Sequence, residues 1–385
     1  MMIGGWKIMN EYDSYKIRNH IRLIELFAGV GSQAMALRDI GADFEHYRVV
    51  EFDKYAVKSY NAIHGTNFEP TDIRNMKGED LGIVDTQNFT YLITYSFPCQ
   101  DLSLAGKQRG MTKGSGTRSG LLWEVERLLN ETENLPQVLL MENVPQVHGT
   151  KNIDDFNLWI DFLKSKGYSN FWQDLNAKDY GIAQNRKRCF MISILGNEVY
   201  EFPKPVKLEK CIKDYLEDEV DAKYYIKSEK AFKLILDLEE RGILEGKEKL
   251  VCDFTINKPK EREIMNTIMS RQDRGISNIE GIGGAVVEKV QANIALQKDN
   301  ILLEVDVWNK KPLKDGVYKV ESRYRIRKLT SKECWRLMGF SDEDFEKAAK
   351  VNSNTQLYKE AGNSIVKDVL MAIFRQMNVQ KNKKN

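Results

Sequence analysis

The sequence predicts an α/β fold: a parallel sheet covered on both faces, followed by a smaller domain of irregular α+β type. Two observations carry this. Between residues 21 and 194, short apolar runs alternate with helical patterns, the rhythm of strands joined by helices. After Leu195 that rhythm is lost, and it returns only near the end. The chain therefore leaves its first core, builds another and comes back.

Residues 21–26, 47–51, 92–95, 138–141 and 189–194 read as strands. Leu121, Leu122, Val125, Leu128 and Leu129 form one helical stripe, and Phe156, Trp159, Phe162 and Leu163 another. Pro203 and Pro205 mark a linker. Residues 206–322 mix a charged helical segment at 229–240 with turns at Gly281, Gly283 and Gly284. Thr330 with Glu333 is a capping box opening a short helix whose apolar positions are Cys334, Leu337 and Met338. A last helix carries Ile365, Val366, Val369, Leu370, Ile373, Phe374 and Met377 on one face, which needs a partner; the first domain is the simplest.

A chain of 385 residues suits one large domain or two ordinary ones. A net charge of +2 does not announce a nucleic-acid binder, so any basic surface must come from local clustering. No apolar run is long enough to span a membrane, and the N-terminus has no secretory pattern. The five cysteines lack CxxC spacing and the four histidines are dispersed. Reduced thiols, a cytoplasmic location, no metal centre and a monomer are expected.

The strand at 21–26 runs into Phe27-Ala28-Gly29-Val30-Gly31, a turn that lets a cofactor approach the backbone. Glu51 follows at the end of the next strand, where an acid can hold ribose hydroxyls. The third glycine of a dinucleotide fingerprint is missing. An adenosyl ligand such as S-adenosylmethionine therefore fits better than NAD, although a plain tight turn with a solvated Glu explains the same residues. Asp72 and Ile73 either bracket an adenine or form a loop cap.

Cys99 lies in Phe97-Pro98-Cys99-Gln100, just past an apolar run, and a polar stretch with five glycines follows it up to Gly120. Free cysteines are often small core residues. Here Pro98 ends the strand, and a Gly-rich loop of this length is more often a functional lid. Glu142 ends a second apolar run, in Glu142-Asn143-Val144. It is either an exposed strand end or an acid beside the thiol, able to hydrogen-bond a ring nitrogen while sulfur attacks a ring carbon. Arg186 and Arg188 alternate at a strand mouth, suiting a carbonyl oxygen, phosphates or a solvated rim. Arg323, Arg325 and Arg327 alternate too, so on a strand they share one face: a phosphate stripe or a guarded edge.

Together these segments resemble the C5-cytosine DNA methyltransferase family, over residues 21–195 and 325–374 and in the family's order. The matching segments are Phe27 to Gly31, Phe97-Pro98-Cys99-Gln100, Glu142-Asn143-Val144, and Gln184, Arg186 and Arg188 as Gln-x-Arg-x-Arg. Arg327-Lys328-Leu329-Thr330, Met338-Gly339-Phe340 and Gly362-Asn363-Ser364 complete the series. Residues 94–126 look most like the CpG-methylating bacterial branch. Glu25 stands where Asp is commoner and Ser32 where Gly is, and residues 196–322 lack the Thr-Leu dipeptide expected of CpG recognition.

The resemblance implies a Rossmann-like S-adenosylmethionine-dependent domain at 20–195 plus 355–380, and a target-recognition domain with hinge at 196–354. It implies double-stranded DNA held between them, with the target cytosine flipped out. Cys99 would attack C6, Glu142 would hold N3 and the exocyclic amine, Arg188 would hold O2, and Arg186 is a second candidate for base or backbone. S-adenosylmethionine, with S-adenosylhomocysteine as product, would lie against Phe27, Gly29, Gly31, Glu51, Phe52, Asp72, Ile73, Pro98, Leu121, Asn363 and Ser364. Gln100, Ser103, Arg323, Arg325 and Arg327 would meet the DNA. A cognate restriction endonuclease is a possible companion, and phage and host modification enzymes share this pattern.

Three rivals remain. A tRNA-modifying branch usually carries Pro-Pro-Cys and an uninterrupted Cys-Phe-Thr, whereas this chain has Phe97-Pro98-Cys99 and Cys252-Asp253-Phe254-Thr255. An inactive DNA-binding homologue would usually have lost the thiol or the acid. An NAD oxidoreductase needs the fuller glycine fingerprint and leaves Cys99 without a task.

Overall fold

The computed structural model describes residues 14–102, 109–226, 228–254, 259–274, 283–289 and 324–379. Ser103 and Arg323, both expected at the DNA, lie outside the described residues. The chain forms two compact units: Met1–Asn176 with Lys187–Pro205 and Lys367–Asn385, and Ala177–Arg186 with Val206–Val366.

The first unit is built on a six-stranded sheet. Its strands are β1 (His20–Leu26), β2 (Phe44–Val50), β3 (Phe89–Tyr95), β4 (Val138–Asn143), β5 (Tyr168–Asn176) and, past the short β6 (Gln184–Asn185) of the other unit, β7 (Lys187–Leu195). The order is β2-β1-β3-β4-β7-β5. β1 to β4 are parallel, but β7 runs antiparallel to both β4 and β5. The expectation of a wholly parallel sheet is corrected at this end. A parallel return from β5 to β7 needs a crossover of a dozen or more residues, and only ten separate the two strands.

Helix α1 (Ser32–Asp39) follows β1 and α2 (Lys54–His64) follows β2, while α3 (Leu122–Glu131) and α4 (Ile153–Ser165) flank β4. Leu122, Val125, Leu128 and Leu129 of α3 and Phe156, Trp159 and Leu163 of α4 bury against Ile93, Tyr95, Leu139 and Met141. Each such side chain contributes about 1.5–3 kcal/mol of burial. Leu92, Leu140 and Ile192, of opposite parity, are also fully buried, so both sheet faces are covered.

In the second unit α5 (Glu229–Glu240) occupies the segment expected to be helical. It packs Ala231, Ile235 and Leu238 on an antiparallel sheet of β8 (Lys249–Asp253), β9 (Lys260–Arg262), β11 (Ala285–Lys289) and β12 (Tyr324–Arg327). Between β9 and β11, β10 (Met265–Asn266) pairs with β6. The Thr330–Glu333 capping box opens α6 (Ser331–Arg336), and Cys334, Leu337 and Met338 are buried as the pattern requires. α7 (Asp342–Ala349) and α8 (Asn354–Asn363) follow. The last helix, α9 (Lys367–Gln376), belongs to the first unit and lies against α1, where Lys367 Nζ meets Asp39 Oδ2 at 2.5 Å. No helix among the described residues is long and apolar enough to cross a membrane.

Candidate active site

At the end of β1 the backbone turns through positive φ at Phe27 (59°), Gly29 (57°) and Gly31 (83°). Phe27 holds this disfavoured conformation because its N–H and that of Ala28 both donate to Val50 O, at 2.7 and 3.2 Å. A Cβ on Gly31 would lie 2.4 Å from His64 Nε2 and 2.6 Å from Tyr60, so this glycine is demanded by packing. Beside Gly29, by contrast, the space is open, as a ligand approaching the backbone requires.

Glu51 faces this turn. Its Oε2 accepts from Gly29 N at 2.9 Å and its Oε1 from Asp53 N at 2.8 Å. Both oxygens are engaged by backbone donors, so the direction of the carboxylate is already set. Phe52 next to it is 74% exposed, a large ring without cover. The donor set therefore fits an adenosyl group: an oriented acid for ribose and an open aromatic face for a base. Asp72 Oδ1 caps the turn Ile73–Asn75 through Arg74 N, and Arg74 Nη2 reaches Asp72 Oδ2 at 2.5 Å. Hydrogen bonds from Arg74 hold the Asp72 carboxyl below its ordinary range. Ile73 beside it is buried.

β3 and β4 are parallel neighbours, with Tyr95 opposite Met141. Cys99 follows four residues after the end of β3, and Glu142 is the residue after Met141 within β4. Topology thus delivers thiol and acid to the same carboxyl edge of the sheet. Asn143, at the end of β4, donates from Nδ2 to Phe97 O at 2.9 Å, while its Oδ1 accepts from Val144 N at 2.9 Å. The loop before Cys99 is thereby tied to the strand that carries Glu142. Arg188 Nε, from β7, stands 3.3 Å from Glu142 Oε1. The stretch after Cys99 is pinned at its base: Ser119 Oγ donates to Pro98 O at 2.6 Å, Arg118 N to Asp101 Oδ2 at 2.9 Å and Gly110 N to Asp101 O at 3.0 Å.

Cys99 differs from most of its fellow thiols. Cys189, Cys252 and Cys334 are fully buried. Burial pushes the Cys252 thiol up to about 12, so it is a core residue. Cys99 is only partly covered, and Gln100 beside it is exposed.

Comparison with known proteins identifies the family of the chain. The family model for C-5 cytosine-specific DNA methylase matches residues 21–379. The chain belongs to that family. It is 31% identical over 93% of its length to the type II methyltransferase M2.ScrFI of Lactococcus lactis subsp. cremoris, covering 99% of that protein. It is 36% identical over 82% of its length to the orphan methyltransferase M.SssI of Spiroplasma monobiae, covering 72% of it. Among solved structures, Entamoeba histolytica EhMeth aligns with a TM-score of 0.65 at 17% identity, over 94% of this chain and 98% of that one. The S. pombe Dnmt2 methyltransferase aligns with a TM-score of 0.63 at 20% identity, over 92% and 98%. These two share the Rossmann-like fold.

In this methylase Leu121, half-buried, stands at the N-terminus of α3, and the other expected residues described lie in the second unit. Arg186 is buried, and its guanidinium donates to Ile268 O (2.9 Å), Gly362 O (2.9 Å) and Ser364 O (2.8 Å). It clamps the Gly362-Asn363-Ser364 turn, where a Cβ on Gly362 would lie 2.0 Å from Ser270 N. Arg186 is thus committed here to positioning this turn rather than to the base, a correction forced by its three carbonyl partners. Ser364 is buried, its Oγ donating to Glu360 O, and Asn363 is exposed.

Arg327 requires a second correction. Arg325 and Arg327 do share a face of β12, but Arg327 is 0% exposed, with Nη2 at 2.9 Å from Glu333 Oε1 and Nε at 3.1 Å from Glu288 Oε2. A guanidinium so enclosed cannot reach a phosphate. Arg325 pairs with Glu288 at 3.0 Å and lies over the Tyr225 ring. The clamp of Asn143 on Phe97 has no signal in the sequence beyond the place of Asn143 inside Glu142-Asn143-Val144.

Proposed function

We propose that this methylase transfers a methyl group to C5 of a cytosine flipped out of duplex DNA, through a transient bond from Cys99 Sγ to C6. The observation that carries the reading is the parallel register of β3 and β4, which brings Cys99 and Glu142 to one sheet edge.

The chemistry follows from that pairing. C5 of cytosine is a poor nucleophile, and covalent addition divides one hard step into easier ones. The Cys99 thiolate adds to C6 while Glu142 engages N3 and the exocyclic amine, so the displaced electron pair makes C5 nucleophilic. Arg188 holds O2 from the other side. Bound S-adenosylmethionine supplies the methyl group to C5 and leaves as S-adenosylhomocysteine. Loss of the C5 proton to a base, water being the simplest, then expels the thiolate. Glu51, Phe52, Asp72, Ile73, Phe27, Gly29, Gly31, Pro98 and Leu121 form the cofactor side in this reading. Gln100 and Arg325 remain the DNA-contacting residues it retains. Flipping costs a few kcal/mol, offset by contacts to the opened duplex.

The same reading has the enzyme acting in the cytoplasm as a monomer, without a metal, either beside a cognate endonuclease or alone. A duplex carrying 5-fluorocytosine, supplied with S-adenosylmethionine, tests it. Fluorine cannot leave as a proton does, so a denaturation-resistant protein–DNA adduct is expected, and none with Cys99→Ala. Bisulfite sequencing of plasmid from expressing cells gives the site. Labelled methyl groups appearing in tRNA and not in duplex DNA would establish the RNA branch instead.

A further inference from the structure

Helix α3 holds the turn that precedes it in the cofactor site. From its middle, Arg127 donates Nη2 to Ile73 O at 3.1 Å and Nη1 to Met76 O at 2.8 Å, bridging both ends of the Ile73–Asn75 turn. The guanidinium is aimed by its own helix: Nε meets Glu124 Oε2 at 2.8 Å, and Nη1 meets Glu131 Oε2 at 2.9 Å. Glu131 in turn accepts from Gly78 N at 3.0 Å. Gly78 lies so close that a Cβ there would be 2.4 Å from the Glu131 carbonyl carbon. Residues 73–78 are therefore fastened to α3 at three backbone groups, two by one side chain.

The same helix grips the segment after Cys99. Trp123 Nε1 donates to Met111 O at 2.7 Å, and Lys113 Nζ reaches Glu126 at 2.7 Å. Ser119, just ahead of α3, holds the Pro98 carbonyl. One rigid element thus positions both the Asp72–Ile73 turn and the base of the cysteine loop.

We propose that Arg127 is a positioning residue for S-adenosylmethionine: it touches no substrate, but sets the Asp72–Ile73 turn against which the adenine lies. The inference rests on the proposed cofactor role of Asp72 and Ile73. Without the guanidinium, the Met76 carbonyl loses its donor, the Ile73 carbonyl keeps only Met76 N, and the turn is held by its own caps and by Glu131. A planar fork bridging two carbonyls and two carboxylates is not replaced by a lysine, which offers one point charge.

The test is steady-state methylation by the full chain, on a duplex carrying the site identified by bisulfite sequencing. Arg127→Ala should raise KM for S-adenosylmethionine about tenfold, with kcat and KM for DNA within about twofold of the parent. Arg127→Lys should fall between them. An unchanged KM, or a fall in kcat at constant KM, overturns the inference, because a merely structural role lowers the active fraction without moving KM. If Arg127→Ala does not fold, Arg127→Lys decides by the same measure. Calorimetry separates the two levels. A parent that does not bind S-adenosylmethionine sinks the proposed function. A parent that binds it no better than Arg127→Lys and Arg127→Ala sinks this inference alone.

Discussion

Arg188 Nε lies 3.3 Å from Glu142 Oε1, with both side chains largely covered. The guanidinium has two uses at this spot: it balances the carboxylate, and it can turn its remaining N–H groups to a base carbonyl. Both proposed roles, Glu142 at N3 and Arg188 at O2, place the two side chains along one edge of a single pyrimidine, which their spacing allows.

Replacing Glu142 by Gln keeps the shape but removes the charge. Capture of 5-fluorocytosine duplex should slow by about a hundredfold or more, as for loss of a general acid–base group. Equilibrium binding of the duplex should change little. Arg188→Lys should slow capture as well, because an ammonium cannot face Glu142 and a carbonyl in one plane. Rapid capture by Glu142→Gln would remove this residue from the mechanism.

Asn143 connects β4 to the loop before Cys99 through one side chain, donating to Phe97 O and accepting from Val144 N. Asn143→Ala strands both backbone groups in a buried place and should cost about 2 kcal/mol in urea denaturation. Asn143→Asp should be worse than Ala for capture rate. It keeps an acceptor for Val144 N but sets a carboxylate oxygen against the Phe97 carbonyl. An Asp variant faster than Ala would show that the clamp does not govern the Cys99 loop.

The five expected strands were legible because each is a run of apolar residues between polar turns, and burial of both sheet faces enforces that composition. β5 was not. Its Trp172 and Gln173 are exposed at the sheet edge, so Tyr168–Asn176 carries no continuous apolar signal. The direction of β7 was hidden for another reason, since an apolar run reads the same whichever way it lies. Among the expected site residues, Cys99 follows β3, Glu142 stands near the end of β4 and Arg188 near the start of β7, so their places at strand ends were legible. Arg327 was misread because Glu288 lies far from it in sequence, and charge patterning along one strand cannot show what the neighbouring strand supplies.

Glu25 titrates within β1, just before the Phe27–Gly31 turn. Burial pushes its carboxyl up to about 7, against hydrogen bonds from Tyr60 and from the Ala34 backbone that favour the charged form. Tyr60 Oη donates to Glu25 Oε2 at 2.5 Å and is met by His46 Nδ1 at 2.7 Å. The folded state thus holds a proton that the unfolded state releases near its ordinary value of 4.5. This contribution to stability is full below about 4.5 and is lost as pH rises through about 7, a span worth roughly 3 kcal/mol. His46, lowered to about 4 by burial and Arg38, acts in the opposite sense between about 4 and its ordinary 6.5. The comparison must therefore be between variants. Glu25→Gln imitates the protonated acid and should match the parent in urea midpoint at pH 5 but exceed it at pH 8. Equal midpoints at both pH values would show that Glu25 ionises in the fold at no cost.

The buried ion network of the second unit sets stability apart from DNA contact. Arg327 is enclosed with Glu333, also 0% exposed, and with Glu288. Arg327→Ala leaves Glu333 without its guanidinium and Glu288 with that of Arg325 alone, and should cost about 3–5 kcal/mol, the range for breaking a buried pair. High salt should recover none of it, since screening acts weakly on buried charges. Arg325 is 36% exposed in its side chain and pairs only at the margin of this network. Arg325→Ala should cost under about 1 kcal/mol. If Arg325 meets a phosphate, its loss should also reduce the slope of log K against log salt for duplex binding by about one. Lowering the temperature to keep Arg327→Ala folded should leave that slope at the parent value. A flattened slope with Arg327→Ala and an unaltered one with Arg325→Ala would mean that the network opens on DNA and presents Arg327 to the backbone.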